Sequence, residues 1–404
     1  MFVWLYRRVL FLVLVWSWGM GLGMAWPLGR EIYDEAAIFI RPAPQPVQLS
    51  GPCDFVAFWA TGRMANAGQA ADVFQPQKLL AQEAAIPNNA RLQLLWFYPP
   101  PALLLAGLAA HITPFFRAFF VWIAGLLFLS VLVLRRAGLG WQVIAVAVLS
   151  PAGLLNTSLG QFGFLTGALF IAGVLLAERR LWVAGGLFGA LIFKPQGALL
   201  APVLLLARRK WGGIVAGGAM ALALCVLSLW VYGPDVWRQF FILGLKVSHF
   251  TLVQPFPRHP PPTFDSYEFY GVSVFWMCRS FGWSVQWSSL AQSVVALGAV
   301  VACWHAWRRE AVNPTARMAL TVCLALLTTP YGYLYDMCAT SIAVSALAFQ
   351  ERRLVLEDVL LFSWPALGLL VAFKFYLELA PVILCLSAWR AARVLDNVAP
   401  LADH

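Results

Sequence analysis

Long apolar runs separated by short basic clusters constrain this chain more than any other feature. About 20 apolar residues cross the hydrocarbon core of a bilayer, and run after run here approaches that length. Charged residues make up 11% of the 404 residues, less than half of the about 25% that is usual in a soluble domain. The sequence therefore predicts an all-α polytopic integral membrane protein, with residues 1–404 forming a single membrane domain.

The basic residues predict how the apolar runs are oriented. They lie in short clusters between the runs: Arg7-Arg8, Arg135-Arg136, Arg179-Arg180, Arg208-Arg209-Lys210, Arg308-Arg309, Arg352-Arg353 and Arg390 with Arg393. Short cytoplasmic loops collect Lys and Arg, so we expect all these clusters on the cytoplasmic face. The net charge of +10 does not indicate a nucleic-acid partner, because no soluble domain is left to carry a basic binding surface.

Placing every cluster on one face gives about twelve transmembrane helices and two long outer segments. The first extracytoplasmic loop, residues 28–93, begins Pro-rich and continues with a pattern of amphipathic interfacial helices. Residues 94–114 contain an apolar stretch that is too short to span and is bracketed by prolines, which indicates a re-entrant or interfacial half-helix. Residues 233–287 form the second extracytoplasmic loop. Cys53 and Cys278 both lie in outer loops, where they can pair or remain free thiols.

Two charged residues of the outer face are the first candidates for chemistry. Asp54 immediately precedes a helical pattern, so it can cap that helix or act as a general base near the membrane surface. Lys194 ends an apolar run and precedes Pro195. It can extend to lipid headgroups, or it can meet an anionic phosphate as a point charge.

Other polar residues of the outer face are candidates for substrate binding, each with a structural alternative. Asn156 and Gln161 can bind sugar hydroxyls or simply form a turn. Tyr98 can shape a groove or anchor the chain at the interface, and Tyr335 belongs to an aromatic cluster that ends in Asp336. The spacing of the loop histidines matches no zinc signature, so we expect no metal site and no cofactor. The full candidate set for substrate binding is Tyr98, Asn156, Gln161, Gln196, His249, His259, Tyr335 and Asp336.

Taken in order, these motifs resemble glycosyltransferase family 87, the polyprenol-phosphate-mannose-dependent α-mannosyltransferases of the GT-C superfamily. The resemblance rests on DFVAFWATGR, WFYPPPALLL and the stretch from LGQFGFLTGALF to KPQGALLAPVLLLARRKW, roughly residues 53–211. It implies a GT-C-like fold that takes a sugar from a polyprenyl phosphate on the extracytoplasmic face. It also implies that Asp54 is the catalytic base and that Lys194 lies near the donor phosphate.

The chain departs from this family pattern at TPYGYLYD. The family typically has Ser-Pro-x-Ser-Trp followed by one or two His, and here Tyr335 and Asp336 occupy the His positions. The departure leaves the donor sugar and the acceptor open.

Three functions fit these features. The first is an inverting, metal-independent hexosyltransferase that uses a polyprenyl-phosphate-sugar donor and a lipid or glycan acceptor. The second is a transporter or flippase of a polyprenyl-linked glycan, and the third is a scaffold in envelope glycan assembly. A transporter is expected to show internal repeats and polar residues near the midplane of broken helices. We find no repeat, and the polar residues gather at one face. We therefore expect a transferase in a bacterial-type inner membrane, with its active site on the extracytoplasmic side.

Overall fold

The computed structural model describes residues 11–23, 54–86, 94–257 and 267–397, and within them the chain is helical, without β-strands. The α-helices, in chain order, are α1 (Phe11–Gly23), α2 (Phe55–Asn66), α3 (Pro76–Ala84), α4 (Pro101–Ala110), α5 (Phe115–Arg136), α6 (Trp141–Val148), α7 (Pro151–Leu159), α8 (Gly163–Leu176), α9 (Leu181–Ala190), α10 (Leu200–Ala207), α11 (Trp211–Tyr232), α12 (Pro234–Gln239), α13 (Leu245–Val253), α14 (Val274–Ser280), α15 (Val285–Arg308), α16 (Pro314–Leu327), α17 (Cys338–Glu351), α18 (Leu356–Phe375) and α19 (Ala380–Arg393). Short 3₁₀ helices lie between them at Ala70–Phe74, Leu191–Phe193, Pro195–Ala198, Tyr267–Tyr270 and Leu334–Met337, and a π-helix lies at Phe240–Gly244.

Among the described helices, α5, α11, α15 and α18 are long and apolar enough to cross a membrane, judged by length and composition. The pair α6 and α7, bent by 58°, makes a fifth if it is counted as one span. Shorter apolar helices accompany them, including α8, α9 and α16. These helices confirm a polytopic membrane protein, and the number of twelve spans stays a prediction.

The helix at the centre of the molecule is α8. Thirteen of its fourteen residues are buried, and it packs against α5, α9 and α17. A helix that is apolar on every side is buried either in a protein core or in lipid, and α8 is buried among other helices. By contrast, α11 packs against α9 on one side, buries only Gly213 and Ser228 completely, and leaves its other side available to lipid.

Two helices of 14 residues, α8 and α17, separate two chemically different ends of the bundle. Each is about 21 Å long. Gln161 precedes α8 and Asp336 precedes α17, whereas Glu178 and Arg352 follow them. We call the end near Gln161 and Asp336 the polar end and the opposite end the basic end.

Ion pairs tie the helices together at the basic end. The Glu178 carboxylate lies 2.8 Å from Arg208 Nε and 3.2 Å from Lys210 Nζ, which joins the end of α8 to the end of α10. Arg390 of α19 lies 3.6 Å from Asp358 of α18. The basic clusters that follow α8, α10 and α17 therefore share one end, as the positive-inside pattern predicts for loops on one face.

Helix α2, in the predicted first outer loop, is buried within the protein. Ten of the twelve residues of α2 are buried, because α4 packs closely against it. A Cβ on Gly62 would overlap the Ala106 carbonyl of α4, and Asn66 Nδ2 donates to the Gly107 carbonyl at 3.0 Å. With ten residues, α4 is about 15 Å long, too short to cross a bilayer alone.

The second outer segment is largely helical and contacts the first. From Pro234 to Val253 the chain continues through α12, the π-helix and α13. The ring of Phe240 lies 5.7 Å, centroid to centroid, from the ring of Phe74 in the first segment. Cys278 is a buried free thiol, and Cys53 lies outside the described residues.

Candidate active site

Asp54 stands at the start of α2, but its side chain does not cap the helix. Its backbone is already helical, with φ −62° and ψ −18°, and its carboxylate accepts no hydrogen bond from the first turn. Instead, Gln161 Nε2 donates to Asp54 Oδ2 at 2.5 Å. The capping alternative does not describe this side chain, because its carboxylate contacts a loop more than 100 residues further along the chain.

The environment of Asp54 makes its carboxylate more basic than an ordinary one. Burial raises the pKa of Asp54 to about 6, and this exceeds the opposing effects of the Gln161 hydrogen bond and the Lys194 charge. At neutral pH most of the molecules carry the ionised form. The carboxylate therefore has the protonation state and the proton affinity that a general base requires.

A tight turn between α7 and α8 brings Gln161 to Asp54. Gly160 ends α7 in the left-handed conformation at φ +73°, and its carbonyl accepts from Trp122 Nε1 at 2.8 Å. Asn156 Nδ2 donates to the Gln161 carbonyl at 2.8 Å, and Asn156 Oδ1 accepts from the Phe164 N–H at 3.2 Å. Both polar groups of the Asn156 side chain are thus used within the turn, which supports the structural alternative for this residue.

Lys194 forms a buried ion pair with Asp336. Its Nζ lies 2.5 Å from Asp336 Oδ1, and the two side chains are 5% and 11% exposed. Asp336 Oδ2 accepts from the Tyr333 N–H at 3.2 Å, which fixes the carboxylate against the turn that begins Leu334–Met337. Lys194 therefore does not extend to headgroups. Its ammonium lies inside the protein, 4.8 Å from the centroid of the Tyr335 ring.

Tyr98 lies between Asp54 and the ion pair. Its hydroxyl is 3.5 Å from Gln161 Oε1, and its ring packs 5.3 Å from that of Phe162, centroid to centroid. Burial, and then the charges of Asp336 and Asp54, raise the pKa of Tyr98 above its usual range. The phenol is therefore a hydrogen-bond donor. By donating to Oε1 it leaves the amide N–H groups of Gln161 directed at Asp54.

A small cavity of about 50 Å³ lies beside the ion pair, enough for a few water molecules. Gln196, Thr329 and Tyr331 line it together with Lys194 and Asp336. The structure therefore brings Gln196 to the site.

His249 is not part of this cluster. His249 lies exposed on α13, one residue after Ser248, whose carbonyl accepts from the Tyr331 hydroxyl at 3.3 Å. His259 lies outside the described residues. Among the described residues, no three His, Cys, Asp or Glu side chains come together as a metal site.

Sequence reasoning identified Asp54, Lys194, Gln161 and Asp336 as candidates but not which of them pair. Lys194 and Asp336 are 142 positions apart, and Asp54 and Gln161 are 107 apart. Phe162 was not identified at all, although its ring contacts Tyr98 and lies 5.9 Å from Lys194 Nζ. The one sequence feature that could have identified Phe162 was its position next to Gln161, in a motif that had already been selected.

Comparison with known proteins gives one match. The model of glycosyltransferase family 87 matches residues 96–330, more than half of the chain. This range includes Tyr98, Gln161 and Lys194, whereas Asp54 and Asp336 lie on either side of it. No curated protein and no solved structure matches the chain.

Proposed function

Because this chain belongs to glycosyltransferase family 87 and is therefore a membrane glycosyltransferase, we propose that it transfers a hexose from a polyprenyl-phosphate donor. The acceptor is a hydroxyl of a lipid or glycan, the architecture is GT-C-like, and the reaction inverts the anomeric centre. The membrane is a bacterial-type inner membrane, and the site faces its extracytoplasmic side. The observation that carries the proposal is the convergence of a basic carboxylate, Asp54, and a buried cation, Lys194, at the polar end of one bundle.

Asp54 acts on the acceptor in this mechanism. Its Oδ2 accepts from Gln161, and its Oδ1 has no hydrogen-bond partner among the described residues. Asp54 removes the proton from the acceptor hydroxyl as the hydroxyl oxygen attacks the anomeric carbon. The new glycosidic C–O bond forms while the bond from the anomeric carbon to the phosphate oxygen breaks. Attack from the face opposite the phosphate inverts the configuration.

Lys194 acts on the leaving group. The polyprenyl phosphate departs with one more negative charge than it had in the donor, and an ammonium placed beside it stabilises that developing charge. Lys194 is already paired with Asp336, but an ammonium has three N–H donors. It can therefore hold Asp336 and a phosphate oxygen at the same time, with Asp336 keeping the side chain in place between turnovers.

The length of the central helices supports a lipid-linked donor. From the basic end, α8 and α17 extend only about 21 Å, whereas the hydrocarbon core is about 30 Å thick. If the basic clusters lie at the cytoplasmic interface, the polar end lies below the outer headgroups. A phosphate carried by a polyprenyl chain reaches such a recessed site without the chain leaving the bilayer.

The assignment of Asp54 is tested by Asp54→Asn, which keeps the side chain's size and removes its basicity. General-base catalysis contributes about 10²- to 10⁴-fold, so we expect the transfer rate to fall by that factor. The matched control is Asp72→Asn, because Asp72 lies in the same outer segment but pairs with Lys78 at 2.8 Å, away from the cluster. Transfer of radiolabelled sugar from a panel of polyprenyl-phosphate hexoses by protein in nanodiscs provides the measurement.

Mass spectrometry of membrane lipids and glycans, from cells with and without the protein, identifies the acceptor for this assay. A wild-type rate for Asp54→Asn would show that this carboxylate is not the base. Translocation of the lipid-linked sugar across liposomes without any product would favour a flippase instead.

A further inference from the structure

A second cavity lies at the other end of α17 from the candidate active site. It occupies about 810 Å³ between α1, α6, α17 and α18, within the roughly 300–1,000 Å³ of small-molecule sites. Asp336 precedes α17 at one end, and Arg352 follows it about 21 Å away at the other. This cavity is therefore separate from the site that contains Asp54 and Lys194.

The rim of this cavity carries uncompensated positive charge. Arg352 and Arg353 line it and are exposed, and neither forms an ion pair within the part of the chain that the structure describes. The acidic lining residue among those described is Asp358, which lies 3.6 Å from Arg390 Nη2, and Arg390 also lies 4.0 Å from Glu351. The two guanidinium groups at the rim have no ion-pair partner among the described residues.

The interior is apolar and lies against the lipid-facing helix α1. Its walls are mainly Phe11, Leu14, Trp18, Val146, Val344, Phe349, Val359 and Phe362. Phe11 and Trp18 are also counted among the exposed apolar side chains, so the bilayer borders this cavity directly. Apolar walls beside lipid suit an acyl chain better than they suit a soluble metabolite.

We propose that this cavity binds one anionic phospholipid from the leaflet at the basic end. The phosphate lies between Arg352 and Arg353, whose guanidinium groups suit phosphate oxygens. An acyl chain fills the space between the apolar walls. Basic pockets between transmembrane helices on the cytoplasmic side bind anionic headgroups in this way. Both arginines lack anions, so a lipid with net negative charge is favoured over a zwitterionic one.

The test uses full-length protein, delipidated in detergent, with phosphatidylglycerol and phosphatidylcholine of identical acyl chains as probes. We expect phosphatidylglycerol to raise the unfolding temperature and to remain bound in native mass spectrometry, and phosphatidylcholine to do neither. The double variant Arg352→Gln/Arg353→Gln should bind phosphatidylglycerol roughly 10- to 30-fold more weakly. The control is Arg179→Gln/Arg180→Gln, an exposed doublet that also lies at the basic end but does not line the cavity.

Equal stabilisation by both lipids would overturn the proposal. So would unchanged binding by the Arg352→Gln/Arg353→Gln variant, or a stabilisation by polyprenyl phosphate that phosphatidylglycerol does not produce. All these readouts measure lipid binding, so they do not depend on sugar transfer.

Discussion

At the scale of single residues, the site depends on the groups that hold Asp54. Tyr98 donates to the amide oxygen of Gln161, which leaves the amide nitrogen to donate to Asp54. One carboxylate oxygen is thereby held, and burial keeps the pKa of the group near 6. Two predictions follow from these contacts, one for the base and one for the ion pair beside it.

The first prediction concerns pH. As the proposed general base, Asp54 acts in its ionised form, so its protonation at low pH should abolish sugar transfer, and activity should be retained above its pKa. We expect kcat/KM to rise tenfold per pH unit below about 6 and to level off above it, because burial raises the pKa of Asp54 to about 6. A pH profile of sugar transfer from pH 4.5 to 8.5 measures this. An acid limb near 4, the value of an ordinary Asp, would contradict it.

The variant Gln161→Leu should shift the acid limb of the pH profile of sugar transfer to higher pH. The Gln161 hydrogen bond favours the ionised carboxylate, and its loss raises the pKa of Asp54 further. The acid limb should shift to higher pH, so that the fold loss of activity is largest at and below pH 6 and becomes small at pH 8.5. A uniform loss at every pH would mean that Gln161 supports only the fold.

The second prediction separates the structural and the chemical roles of Lys194. The variant Lys194→Met leaves Asp336 buried without its partner, which costs about 3–5 kcal/mol of stability in comparable buried pairs. The double variant Lys194→Met/Asp336→Asn removes both charges and should regain most of the unfolding temperature. Sugar transfer should remain low in both, because neither has a cation for the leaving phosphate. Recovery of activity together with stability would assign Lys194 a structural role alone.

At the scale of elements, the position of Lys194 depends on how α9 packs. Gly185 and Gly189 of α9 face Gly213 and Gly217 of α11, so that the two backbones approach closely. Small residues spaced four apart are the usual means by which membrane helices pack at short distance. Lys194 follows α9 after the single 3₁₀ turn Leu191–Phe193, so a displaced α9 moves the ammonium too.

The third prediction uses this packing. A Cβ on Gly189 would overlap the Gly217 carbonyl and lie 2.9 Å from Met220 Cβ. We expect Gly189→Ala to cost about 1–3 kcal/mol and to lower activity as well. The control is Gly186→Ala in the same helix, where the nearest atom is Met220 Cε at 3.9 Å. Thermal unfolding in detergent measures both, and equal stability of the two variants would contradict the close approach.

At the scale of the whole molecule, the chain is organised by its two ends. The candidate active site lies at the polar end, and the cavity that we assign to an anionic phospholipid lies at the basic end. These ends are about 21 Å apart along α17. Their separation places the reaction and the lipid contact at opposite sides of the same bundle.

The fourth prediction tests sidedness in intact cells, with the native cysteines replaced. Lys78→Cys, at a side chain 52% exposed in the first outer segment, should react with a membrane-impermeant maleimide from outside. Arg209→Cys, exposed in the basic cluster after α10, should react only after the membrane is permeabilised. The opposite result would place the candidate site in the cytoplasm and exclude an extracytoplasmic reaction.

The sequence by itself determined the fold class and the segregation of charges. The free energy of transferring a side chain into a bilayer depends mainly on the chemistry of that side chain. Apolar runs and basic clusters can therefore be identified from the local sequence alone. Asp54 and Lys194 were identified for the same reason. An ionisable residue beside an apolar run costs free energy near a membrane and usually has a functional role.

Only the tertiary structure decided what these residues contact. Asp54 contacts the Gln161 amide rather than capping α2, Asn156 is used within its own turn, and Asp336 pairs with Lys194. The burial of α2 likewise depends on α4, which begins 35 residues after α2 ends. Contacts between distant positions depend on how the helices pack. The sequence pattern of one helix does not specify which other helix it packs against.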